Sequence, residues 1–224
     1  MATFTTQVGK YEAANAWWNG APWYFIPLTT NPNEGSVPAD IDQARGFFAQ
    51  YQVLPGSGFN GLVGPITFSS LVWNGTSERY EMPRAAESVT MSGRTLDFAG
   101  YAVVRNHKGI GPQSCTVSGD TVSATGHGLS NDDHVVLITD GGSLPTGYTA
   151  GLVVKVSGAS ANSFTVLNLD DSAVGMSSAG SNVFVTPCQG SWHIYEDFAE
   201  TQSVPAGGSQ EFACRGDAAV TVQV

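Results

Sequence analysis

A chain of 224 residues suits one large or two small domains, and 42% hydrophobic residues allow a real core. Only 12% of residues are charged, the net charge is -10, and the few Lys and Arg are scattered; phosphate binding needs clustered cations, so a nucleic-acid partner is not expected. No apolar stretch reaches the ~18 residues of a membrane helix and no leader pairs a basic start with an apolar core, so a soluble protein without a membrane partner is expected.

Abundant Gly, Pro, Ser and Thr point to turns and strands rather than helices. Residues 10–18 predict about two helical turns. Trp17, Trp18, Trp23, Tyr24 and Phe25 place five aromatics in nine positions. Such a run either fills a core or docks on another subunit, since aromatics are enriched at interfaces. The second reading makes residues 1–25 a docking arm. Residues 23–29 then read as a strand and 30–35 as a turn. Residues 36–45 carry a helix start, with Ser36 as cap and acids in the first turn. Residues 47–54 read as a strand. Gly56, Gly58 and Gly61 match a G-x-G-x-x-G pattern, but Gly64 and Pro65 oppose the helix that a dinucleotide site requires, so a loop is expected.

Further strands are expected at 65–69, 71–73, 88–92, 95–98 and 101–105. Asn74-Gly75 signals a hairpin turn; Asn74, Gly75 and Thr76 also spell a glycosylation sequon, which the missing leader makes irrelevant. After residue 188, strands are expected at 192–198, 202–204, 211–214 and 218–224, with a tight turn between 204 and 212. The host therefore comprises about eight short strands, as in a sandwich or jelly roll.

Between Cys115 and Cys188 lies a self-sufficient run. A strand-like segment at 115–124 leads to a turn at 126–133. A strand follows at 134–139, then a loop at 140–147, and further strands at 152–156 and 163–168. Because this run separates two host strands, 101–105 and 192–195, the simplest organisation is an inserted β module, residues 115–188. The host is then residues 26–114 with 189–224. An insertion needs its two ends close in space, and a cysteine at each end fits that need. An odd count of three cysteines indicates no disulfide framework. Cys115 and Cys188 read either as a bridged pair or as small buried thiols.

No catalytic constellation stands out. His127, Asp132, Asp133 and His134 form the densest cluster of metal-binding types, yet they read as a solvated turn shaped by Gly128, Asn131 and Asp132. Asp170 and Asp171 lack the alternating ligands and closing Glu of a calcium loop. Glu196, Asp197 and Glu200 read as an acidic surface rather than a glycosidase pair. Arg215, Gly216 and Asp217 spell an integrin-type tripeptide but sit between expected strands. No enzyme, cofactor or metal is expected.

The module resembles a small β domain that recurs in structural proteins of tailed bacteriophages. It is similar to the first catalytic cysteine half-domain of ubiquitin-activating enzymes, without a catalytic cysteine. The resemblance rests on residues 125–133, 135–137, 142–147, 153–156 and 159–166; Leu152, Val153 and Val154 depart from it, standing where members often carry an aromatic pair. The host resembles phage head-decoration and fibre-like proteins through residues 24–32, 64–68, 98–104 and 201–212. The resemblance implies an all-β subunit, a jelly-roll or β-sandwich host with a small barrel-like insert, assembling as a homotrimer on the outer capsid surface of a virion. The implied function is decoration (cement) of the shell, with the major capsid protein as partner and assembly in the host-cell cytoplasm. The alternative is a tail or fibre component binding a host-cell glycan.

Overall fold

The computed structural model describes residues 20–30, 37–56, 59–67, 72–76, 79–81, 85–90, 95–105 and 108–214. The fold is all-β with one helix among these residues. The host strands are β1 (Trp23–Leu28), β2 (Val72–Asn74), β3 (Arg79–Glu81), β4 (Ala85–Thr90) and β5 (Leu96–Arg105). The module contributes β6 (Gln113–Ser114), β7 (Thr116–Ser118), β8 (Thr121–Ser123), β9 (His134–Ser143), β10 (Val154–Ser157), β11 (Ser163–Leu167) and β12 (Ser181–Pro187). The host resumes with β13 (Ser191–Val204) and β14 (Ser209–Cys214). Helix α1 spans Ile41–Ala49.

The host is organised on a three-stranded antiparallel sheet, β1-β5-β13, with two smaller pairs, β14-β4 and β2-β3. Strand β5 is central, and both its faces are covered. Ala102 and Val104 pack with Ile26, Leu28 and Leu62 in one cluster. From the alternate positions Tyr101 meets Phe25, ring edge to ring face, with centroids 5.5 Å apart. Burial on both faces explains why β1 and β5 read as near-continuous apolar runs. The outer edge of β1 is covered by a returning segment, through reciprocal bonds between Phe25 and Val63 and a bond from Val53 N to the Pro27 carbonyl.

Several host expectations change. The docking-arm boundary at residue 25 cuts through β1, which starts at Trp23. Residues 47–49 belong to α1 rather than to a strand, and residues 50–54 form only an isolated bridge from Gln52 to Leu28. The N-cap is Asp40, not Ser36: its carboxylate Oδ1 accepts from Asp42 N and Gln43 N at 3.0 Å each. Residues 65–67 form no strand. The expected strands at 95–98 and 101–105 are one strand, β5, and those at 192–198 and 202–204 are one, β13, whose register slips between Asp197 and Gln202. Asn74 pairs with Arg79, so the hairpin exists, but Asn74 ends a strand instead of sitting in the turn. The 205–208 turn is as expected: Gly208 N donates to the Pro205 carbonyl, and Gly207 takes φ 80°. Residues 218–224 lie outside the described residues.

The module is one seven-stranded antiparallel sheet in the order β6-β12-β9-β10-β11-β8-β7. Its two end strands are separated in sequence by Cys115 alone, whose N–H donates to the Val183 carbonyl at 2.9 Å. One continuous stretch, 113–118, therefore supplies both edges, and the sheet closes on itself as a barrel. Period-two positions fill the interior: Val117, Val122, Val135, Leu137, Val154, Val156, Phe164, Val166, Val183 and Val185.

Three module expectations are corrected. Residues 115–124 are a hairpin, β7 and β8, because Gly119 at φ 56° turns the chain through a two-residue loop with Asp120. Strand β9 runs on through the expected loop to Ser143, which pairs with Ser181. Strand β12 was not expected at all, yet it joins β6 to β9. Within the barrel the Tyr148 hydroxyl accepts from Leu137 N at 2.9 Å and donates to the Leu152 carbonyl. Tyr148→Phe strands that N–H in the core. It should cost about 1–3 kcal/mol, read as a lower urea midpoint at unchanged m-value.

Candidate functional site at the module junction

The sequence marked five aromatics for docking. Trp17 and Trp18 lie outside the described residues. Trp23 and Phe25 are 1% and 0% exposed and Tyr24 is half-buried, so β1 places Trp23 and Phe25 in the host core, where they offer no docking surface. Their density reflects a strand buried on both faces.

The chemistry-bearing residues that the fold does bring together lie where the module meets the host. Strands β5 and β13 pair with Arg105 opposite Ser191, so the two ends of the insertion are neighbours by backbone register. Asp133 ties them further. Its side chain is 8% exposed, and Oδ2 accepts from Ser130 N at 2.6 Å and pairs with Lys108 Nζ at 2.5 Å. Oδ1 accepts from Gln189 Nε2 at 2.8 Å. Lys108 precedes the module and Gln189 follows it, so one buried carboxylate holds both linkers to the 126–133 turn.

A cysteine bridge does not perform this task. Cys115 and Cys188 are free thiols, both buried. Burial pushes the Cys115 thiol up to about 12 from 9.0, and pushes Cys188 up as well. Neither supplies a thiolate nucleophile near neutral pH. In the folded protein both should resist a thiol reagent that labels them after unfolding. A raised folded pKa favours the native state fully below the unfolded value. Stability from these thiols is therefore intact below pH 9.0 and declines as pH rises above it, where the unfolded chain ionises first. Urea melts from neutral to alkaline pH check the sign.

A second set of contacts seats the module on α1. Asp42, Arg45, Gly46 and Ala49 recur at helical spacing on one face. Ala49 packs with Val136, Ile138, Val153 and Cys188, flanked by Phe184 and Leu54. These β9 residues alternate with Val135 and Leu137, which face the barrel interior, so β9 is apolar on both faces. Gly46 lets the backbones touch: a Cβ there would stand 2.1 Å from the Gly151 carbonyl oxygen. Thr186 Oγ1 donates to Gln52 Oε1 at 2.9 Å while Gln52 Nε2 donates to the Gly61 carbonyl, a buried polar bridge satisfied on both sides. Asp42 Oδ1 lies 2.8 Å from Arg45 and 3.5 Å from His134 Nδ1.

The expected solvated turn is only half right. Asp132 is exposed with φ 67°, but His127 is 2% exposed in the barrel core. Its Nδ1 accepts from Leu129 N at 3.0 Å, and its ring meets Phe164 edge-on at 4.9 Å. His127, Asp133 and His134 thus point to three different tasks rather than one ion. Among the described residues no three His, Cys, Asp or Glu side chains are placed to hold a metal. Asp170 accepts from the N–H and hydroxyl of Ser172, which hold its carboxyl below the usual range, and Asp171 pairs with Lys155. Glu196, Asp197 and Glu200 lie on β13. Arg215, Gly216 and Asp217 lie outside the described residues.

Among the described residues, two polar-lined clefts bear on binding. One, of about 250 Å³, lies between host and module and is lined by Thr29, Gln50, Thr95, Asp97, Thr139 and Asp140 among others. The other, about 530 Å³, is lined by Ser114, Thr116, Ser123, Thr125, Asn162 and Ser163 beside Cys115 and Ala124. Sequence reasoning missed Asp133, Gly46, Gln52 and Thr186 as junction residues. A glycine inside a helix and the unbroken apolar run 135–138 were the available signals. The chain matches no protein-family model and no curated protein sequence.

Proposed function

We propose that this chain is a structural protein of a tailed-bacteriophage virion, a capsid decoration (cement) protein that binds the assembled shell and stabilises it. The observation that carries the reading is a closed, weakly charged β-barrel held between two neighbouring strands of an all-β host. This is a form suited to displaying a module from a surface. The sequence resemblance of both parts to phage structural proteins supports it. The proposal includes a jelly-roll host, a homotrimer on the outer capsid surface and the major capsid protein as partner. Binding only the assembled shell stabilises it by mass action. Apolar burial supplies roughly 25 cal/mol per Å², less the cost of immobilisation.

With Trp23 and Phe25 committed to the host core, docking falls to the residues before Gly20, which include Trp17 and Trp18. The test is therefore a deletion of residues 1–18, which leaves β1 whole. The truncated protein should fold, by circular dichroism and urea melt, and fail to co-sediment with purified shells lacking the protein. Folded protein that still decorates shells overturns the docking role.

The cleft between host and module favours a second reading, a tail or fibre component binding a host-cell glycan. Its hydroxyls, amides and carboxylates suit a polyhydroxylated ligand. Glycan-array binding lost in Asp97→Asn, with shells ignored, would select this reading over the first.

A further inference from the structure

The sequence contains three Asn-Gly pairs, at 19–20, 60–61 and 74–75. Two lie wholly within the described residues, and they share one local motif. Asn60 Oδ1 accepts from Leu62 N at 3.0 Å, and Asn74 Oδ1 accepts from Thr76 N at 2.9 Å. Each bond folds the carboxamide back over the next peptide and polarises its carbonyl carbon. The local motif is thus the same in both cases.

The surroundings differ. Gly61 is buried, and its carbonyl accepts from Gln52 Nε2. A Cβ at Gly61 would stand 2.4 Å from Pro112 Cδ, and one at Gly111 would stand 1.6 Å from the Asn60 carbonyl oxygen. The peptide between Asn60 and Gly61 is clamped on both sides and cannot rotate to bring its nitrogen onto Cγ. Gly75 and Thr76 are exposed in the turn that follows Asn74. Around Gly75 the one atom of the described residues within 4 Å of an added Cβ is Trp73 Nε1, at 3.8 Å.

We propose that Asn74-Gly75 is a site of spontaneous covalent modification, deamidation through a succinimide, and that the fold protects Asn60-Gly61 from the same reaction. The Gly75 amide nitrogen, having lost its proton to hydroxide, attacks Asn74 Cγ. A C–N bond forms and ammonia leaves with the carboxamide nitrogen. Water then opens the ring at either carbonyl. Opening at Cγ gives aspartate with the original backbone. Opening at the Asn74 carbonyl carbon gives isoaspartate, whose backbone runs through Cβ and Cγ. The net change is water in and ammonia out. Aspartate sets a carboxylate opposite Arg79, its cross-strand register partner. Isoaspartate lengthens the backbone and breaks the β2–β3 register.

The experiment incubates the full-length protein in mildly alkaline buffer, then maps peptides by mass spectrometry with an isoaspartyl methyltransferase assay. Peptides carrying Asn19 are scored separately. Asn74 should convert about tenfold faster than Asn60 while folded, and the two rates should converge in urea. Gly75→Ala, which the open space allows, should slow conversion at Asn74 about tenfold with the urea melt unchanged. Equal rates at the two sites in the folded protein overturn the proposal, as does no effect of Gly75→Ala. A site difference that persists in urea also overturns it, because the fold would then not be the cause.

Discussion

Asp133→Ala should cost about 2–4 kcal/mol of folding free energy. The carboxylate is buried and serves three partners from three places in the chain: Lys108 before the module, Ser130 within the turn and Gln189 after it. Removing it leaves the Ser130 N–H and the Gln189 amide without their acceptor, and leaves Lys108 without its counter-charge. Lys108 is 28% exposed, so water recovers part of that loss, which keeps the figure below that of a fully buried pair. Lys108→Met should cost less than Asp133→Ala, because the carboxylate keeps its two neutral donors. Asp133→Asn should fall between the two. The effect should be local in hydrogen exchange, with protection lost at the 126–133 turn and both linkers before the barrel strands. Equal costs for Asp133→Ala and Lys108→Met would mean that the ion pair alone, not the junction, carries the stability.

The all-β class was legible in the sequence, and the reason is periodicity. The alternation in 163–167, with Phe164 and Val166 inward, needs only one packed face to be read correctly. Where both faces are buried, alternation disappears. Residues 135–138 then look like any apolar run, and Trp23–Phe25 look like a surface patch awaiting a partner. The partner is the chain's own helix in the first case and its own strands and returning segment in the second, both distant in sequence. The same blindness affected chemistry. His127, Asp133 and His134 lie within eight positions and read as one cluster, but the strand start at His134 sends them to the barrel core, the linkers and α1. Asp133 became the junction residue through Lys108 and Gln189, contacts no local pattern announces. Strand β12 was missed because Ser181 and Asn182 at its start resemble a loop, and its hydrophobic half, Val183 and Val185, is short.

Gly46 decides whether the module is an independent accessory or a part of the host's fold. In a mid-helix position glycine is less favourable than alanine by about 1 kcal/mol, so on helix propensity alone Gly46→Ala should stabilise the protein. The structure predicts the reverse. A Cβ at this position meets the Gly151 carbonyl oxygen at 2.1 Å and Val153 Cγ2 at 2.7 Å, and the first of these is backbone that cannot rotate away. Either α1 or the barrel must retreat, and retreat opens the cluster of Ala49, Val136, Ile138, Val153 and Cys188 and stretches the bond between Thr186 and Gln52. Gly46→Ala should therefore cost about 1–3 kcal/mol, and Gly46→Val about 3 kcal/mol or more, since it adds overpacking and a β-branched side chain. The same strain should divide a single unfolding transition into two, as the barrel and host lose the contacts that make them unfold together. A Gly46→Ala protein that melts higher than the parent, in one transition, would show that the joint yields without loss. Deleting residues 116–187 behind a Gly-Ser bridge would then leave a stable host. On the packing seen here, that deletion should instead expose Ala49 and Leu54, strand the Gln52 carboxamide without Thr186, and yield a host that aggregates.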